Sequence, residues 1–154
     1  TMICQNSPYK GSVFQKKVPG VVRGEMTFEL CVNSAVGYDH YAFTMILGDM
    51  MMSWNRTSQL HLYKGNNQWT TVSAKIKVGT WQKYKICFDT IANETVFYID
   101  DMENPVYIYE GKVHNPKREI NFDLRNYGLC SGAITTQIRN IEVKAVPEKK
   151  KLIP

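Results

Sequence analysis

Gly79-Thr80-Trp81-Gln82-Lys83-Tyr84-Lys85-Ile86-Cys87-Phe88-Asp89, followed by Thr95-Val96-Phe97-Tyr98-Ile99-Asp100-Asp101, is the stretch on which the fold turns. Tyr84, Ile86 and Phe88 alternate with Lys83, Lys85 and Cys87. A period of two is that of a strand with one buried face. Ile91-Ala92-Asn93-Glu94 breaks the alternation, as a hairpin loop does. The second run is β-branched and aromatic and closes on two acids. Together they predict an antiparallel hairpin with Trp81 at its start.

The same period extends in both directions. In Gly24 to Asn33, Met26, Phe28, Leu30 and Val32 fall on one face, and Glu25, Thr27, Glu29 and Cys31 on the other. This is the pattern of a sheet wet on one side. Further strands are predicted at Phe43–Leu47, Met50–Trp54, Leu60–Tyr63, Trp69–Ile76 and Val106–Tyr109, at Ile120–Leu124, and at Ala133–Val146. Val13-Phe14 starts a short edge strand, and the rest of residues 1 to 23 reads as loosely organised. Turn residues recur at sandwich spacing and no stretch has the amphipathic period of a helix. The expected fold is all-β, a two-sheet antiparallel sandwich of the jelly-roll kind.

The totals fit one domain. A chain of 154 residues can bury one core. We assign residues 1–146 to a single sandwich and 147–154 to a basic tail or linker. Nine Tyr, six Phe and three Trp suit pleated, half-buried surfaces. The net charge of +5 is concentrated in Lys149-Lys150-Lys151 and in Lys10, Lys16, Lys17 and Arg23. With no nucleic-acid motif beside it, this charge reads as a solvated tail, so no nucleic-acid partner is expected. No apolar run is long enough to span a bilayer. The four cysteines, at 4, 31, 87 and 130, lack metal or redox spacing and are expected to be free thiols. The start at Thr1-Met2 and the charged end suggest an excised domain or a processed chain. Asn55-Arg56-Thr57 and Asn93-Glu94-Thr95 match the glycosylation sequon, which matters in a eukaryotic secretory host.

Gly-Thr-Trp, then alternating apolar positions to Phe88-Asp89, a short turn and Tyr98-Ile99-Asp100, resembles the central hairpin of laminin-G-like domains. These belong to the concanavalin A-like lectin/glucanase group of jelly-roll sandwiches. Asp101 stands where that pattern usually has Gly. Gln137 to Val143 resembles the group's last strand, with Arg139 in place of the usual Asp. The resemblance covers roughly the second half of the chain. It implies a buried Trp81, because that position precedes a buried strand.

Some relatives in this group are glycoside hydrolases, whose signature, Glu-x-Asp-x-Glu or close to it, sets acids two apart on one strand face. The nearest segment, Glu119-Ile120-Asn121-Phe122-Asp123, lacks the central acid. No nucleophile elbow occurs, and His40, His61 and His114 lack metal-type partners. We therefore expect no catalytic residue and no cofactor. Calcium is the one exception considered, because Asp100, Asp101 and Glu103 offer oxygen ligands, and laminin-G-like and pentraxin-like relatives often bind it. Recognition remains. Aromatic rings stack on sugar C–H faces while Asn, Asp, Arg and His bond the hydroxyls. Tyr38 and His40, Trp54 and Asn55, and Tyr63 and Trp69 supply that mixture. The expected function is a noncatalytic, lectin-like carbohydrate-binding domain. Its partners would be a glycan or oligosaccharide and a neighbouring catalytic domain, and its location secreted or cell surface. A laminin-G-like adhesion domain, a structural spacer and a small hydrolase are the alternatives.

Overall fold

The computed structural model describes residues 2–4, 13–19, 23–32, 43–47, 50–54, 59–63, 69–110, 119–125 and 134–147. Side chains are described for 23–32, 61, 70–72, 74–110 and 137–147. Twelve strands lie among these residues, and every pairing between them is antiparallel. One sheet has the order β1-β12-β3-β8-β9-β10. It comprises β1 (Met2–Cys4), β12 (Ile134–Ala145), β3 (Arg23–Val32), β8 (Trp81–Asp89), β9 (Glu94–Ile99) and β10 (Tyr107–Glu110). The other has the order β2-β11-β4-β5-β6-β7. Its strands are β2 (Val13–Pro19), β11 (Glu119–Arg125), β4 (Phe43–Leu47), β5 (Met50–Trp54), β6 (Gln59–Tyr63) and β7 (Trp69–Lys75).

Alternation decides what is buried. Met26, Phe28, Leu30 and Val32 of β3 are buried, as are Tyr84, Ile86 and Phe88 of β8 and Phe97 and Ile99 of β9. They form one cluster with Val72 of β7 and Ile76, which joins the two sheets through a shared core. Phe28 and Tyr84 are cross-strand partners whose rings stack with centroids 5.2 Å apart. Burial pushes the Tyr84 hydroxyl well above its ordinary pKa, and the Asp100 carboxylate adds to this.

The outward face of the first sheet carries a smaller cluster. Cys87, Val96 and Tyr98 are buried there beneath Met102 and Val146. Val146 is drawn over the sheet because its N–H donates to the Arg23 carbonyl at 3.1 Å, while Arg23 Nη1 donates to the Pro147 carbonyl at 2.7 Å. Lys85 bonds the Met102 carbonyl and sits 3.8 Å from the centroid of the Tyr98 ring. Cys31 and Cys87 are buried and outside any disulfide, as expected.

Two expectations need correction. β1 was not anticipated, because three residues are too few to display a period of two; its strand character comes from pairing with β12. Trp81 is not in the core. It lies opposite Cys31 on the outward face of β8, half-buried, with the Arg139 guanidinium 4.0 Å from its ring centroid. The parity set by Tyr84, Ile86 and Phe88 brings Gln82 inward, and Gln82 is 2% exposed.

Candidate functional site

Two regions gather polar and aromatic residues. The first is the crossover where the chain leaves β7 for β8. Gly79, at φ 73, turns the chain, and its N–H donates to the Val32 carbonyl at 2.8 Å. A Cβ there would meet nothing within 4 Å, so the left-handed backbone alone calls for glycine. Gln82 satisfies the backbone groups that the crossover exposes. Its Oε1 accepts from Lys77 N at 2.7 Å, and its Nε2 donates to the Lys75 carbonyl at 3.2 Å. The same Nε2 donates to Asp100 Oδ2 at 3.2 Å, and Lys77 Nζ reaches that oxygen at 2.8 Å. Asp100 Oδ1 accepts from Lys83 N at 3.2 Å. Burial works to raise the Asp100 pKa, but the hydrogen bonds from Lys77, Gln82 and the Lys83 N–H outweigh it and hold it low.

Asp101 holds the next turn. Its Oδ1 accepts from Glu103 N at 2.9 Å and Asn104 N at 3.1 Å, and its Oδ2 from Asn104 Nδ2 at 2.8 Å. These bonds, led by that from Asn104, keep its pKa below the usual carboxylate value. Asp100 and Asp101, two of the three acids that offered calcium ligands, are thus engaged in holding their own turns. Among the described residues, no group of three or more His, Cys, Asp or Glu side chains is placed to hold a metal ion. The crossover is a structural knot.

The second region is the face of the β2-β11-β4-β5-β6-β7 sheet turned away from the core. Val72 is buried in the core while its neighbour Thr71 is exposed, which fixes the facing of β7. Thr71 Oγ1 and His61 Nδ1 lie within hydrogen-bond reach at 3.2 Å across the β6–β7 pair. Tyr63 and Trp69 are direct partners, two residues along from His61 and Thr71, and so share their face. Register carries the face across the sheet in two rows. One runs Arg125, Thr44, Ser53, His61, Thr71. The other runs Asp123, Ile46, Met51, Tyr63, Trp69. Each row crosses five strands, about 19 Å of sheet.

The sequence-derived candidates divide accordingly. Tyr63 and Trp69 are brought together. Trp54 pairs with Leu60, which pairs with Val72, so its register position is on the core-side face. Tyr38, His40 and Asn55 lie outside the described residues. His61 and Thr71 were not singled out for binding, although the alternation of β6 places His61 with Tyr63. Glu119, Asn121 and Asp123 share the face of the two rows. Asn121 stands at the register position between Glu119 and Asp123, where the hydrolase pattern has an acid.

Comparison by sequence finds no matching family model and no similar curated protein. Comparison of structures finds the same fold repeatedly. A sialidase aligns with TM-score 0.75 and 9% identity over 93% of this chain, which spans 15% of that protein's length. The catalytic domain of the glycoside hydrolase family 131 protein from Coprinopsis cinerea aligns with TM-score 0.57 and 13% identity, over 83% of this chain and 58% of that one. Carbohydrate binding module CBM66 from Bacillus subtilis aligns with TM-score 0.54 and 11% identity, over 90% of this chain and 84% of that one. The chain has the concanavalin A-like jelly-roll fold. Among the described residues, no helix is long and apolar enough to cross a membrane.

Proposed function

We propose that the chain is a noncatalytic carbohydrate-binding domain, an accessory module of a secreted or cell-surface glycan-processing protein. The observation that carries this reading is the Tyr63–Trp69 pair beside His61 and Thr71 on the outward sheet face. Paired aromatic positions offer stacking surface for sugar C–H faces, and the adjoining polar row offers donors and acceptors for hydroxyls. The fold shared with a carbohydrate binding module supports it. The amide of Asn121, where the hydrolase pattern has an acid, favours binding over hydrolysis.

The test is a glycan array on the purified protein, with hits measured by calorimetry. Saturable binding is expected, weakened roughly tenfold or more in Trp69→Ala and in Tyr63→Ala, and unchanged by chelator. Hydrolysis of a bound glycan that is lost in Glu119→Gln would replace this reading with a hydrolase. A blank array with folded protein would replace it with a laminin-G-like protein-interaction or spacer domain.

A further inference from the structure

We infer that Asn93 is an acceptor for an N-linked oligosaccharide. The β8–β9 turn carries the triplet Asn93-Glu94-Thr95; the left-handed turn suits Asn93, whereas the hydroxyl of Thr95 is unexplained by the fold's own bonding. Thr95 is 0% exposed, on the core-side face of β9 between Phe88 and Tyr109. Its Oγ1 is buried without a hydrogen-bond partner. A buried hydroxyl without a partner is unfavourable, and valine has nearly the same shape without it. The fold therefore gives no reason for threonine over valine. The triplet does, because the transferase requires a hydroxyl at this spacing.

Asn93 sits at the surface of the turn with φ 57, half-buried, and its carboxamide makes no hydrogen bond among the described residues. The turn is ordered instead by Asp89, whose Oδ1 accepts from Ile91 N and Ala92 N at 2.9 Å. The carboxamide is thus available for attachment. Beside it Ile91 is 72% exposed, an apolar surface that the first sugars would cover.

The donor is a polyprenyl-diphosphate-linked oligosaccharide. The Asn93 Nδ2 forms a bond to the anomeric carbon of the first sugar. The bond from that carbon to the diphosphate oxygen breaks, the lipid diphosphate leaves with the electron pair, and one amide proton passes to the transferase's base. The burial of Thr95 sets the order of events: transfer precedes closure of the β8–β9 hairpin. The modification places the chain in a eukaryotic secretory lumen, independently of what its sheet face binds.

The experiment is to express the chain behind a cleavable secretory leader in a eukaryotic cell. The secreted protein is then mapped peptide by peptide, before and after peptide N-glycosidase in heavy-oxygen water. A glycopeptide containing Asn93, converted by the enzyme to a labelled Asp, is expected. Asn93→Gln and Thr95→Val abolish it and Thr95→Ser keeps it. In unglycosylated protein from bacteria, Thr95→Val is expected to raise the melting temperature by roughly 2–6 °C. A secreted, folded protein whose Asn93 peptide is unmodified overturns the inference, as does one modified at Asn55 alone. A Thr95→Val variant less stable than the parent overturns it too, because the hydroxyl would then have a purpose in the fold.

Discussion

Asp100 combines a strained backbone with a well-used carboxylate. Its φ of 64 is tolerated by Asp and Asn, whereas Ala there adds about 1 kcal/mol of strain. Its side chain is 38% exposed, so its bonds to Lys77, Gln82 and Lys83 are partly screened. We expect Asp100→Asn to cost about 1 kcal/mol and Asp100→Ala about 2 kcal/mol, read from urea unfolding. The pH dependence follows from the depressed pKa. A carboxylate whose folded pKa lies below its unfolded value stabilises fully above about pH 4 and loses that contribution as pH falls through the folded pKa. Asp100→Asn should therefore flatten the acid side of the stability profile. Glu29 keeps part of that slope, because the hydrogen bond from Arg139 depresses its pKa in the same sense, against a smaller opposing effect of burial. At this scale the sequence was only partly legible. The parity of Tyr84, Ile86 and Phe88 already placed Gln82 inside and Trp81 outside. The match to a family hairpin pointed the other way for Trp81, and local alternation won. Nothing in the sequence tells which backbone groups Gln82 serves, since these belong to a crossover formed only when the two sheets meet.

At the scale of elements, β3, β8 and β9 were legible because each has a buried face of at least two alternating large side chains. Phe88, 0% exposed, belongs to the large cluster. Phe88→Ala is expected to cost about 3–5 kcal/mol, with a lowered urea midpoint and an unchanged slope if the rest of the fold persists. β12 was legible as a strand but its irregularity was not. Between Arg139 and Glu142 the register with β3 slips, and Asn140 adopts φ 54. This is a bulge, which inserts an extra residue and re-aims its neighbours. Beside it the Arg139 guanidinium lies over Trp81 and bonds Glu29 at 2.5 Å. The candidate site was legible as composition, in Tyr63 and Trp69, but not as a surface. The rows that join them to His61 and Thr71 depend on strand pairings that no local pattern encodes.

At the scale of the molecule, sequence order and spatial order diverge. β12 lies between β1 and β3, so the first and last described strands are neighbours. Deletion of residues 134–147 would strip β3 of one neighbour and remove Val146 from the Cys87–Val96–Tyr98 cluster. The expected outcome is loss of cooperative unfolding, measured by near-ultraviolet circular dichroism and amide exchange. Sandwiches dominated by such distant pairings fold slowly, because loop closure precedes the contacts that reward it. The placement of β12 has a consequence for the newborn chain. A ribosome delivers β3 early and β12 more than a hundred residues later. Throughout that interval β3 presents bare backbone along one edge, a template for any passing extended segment. Until its final strand is released, the emerging polypeptide is open to misdirected pairing along that edge.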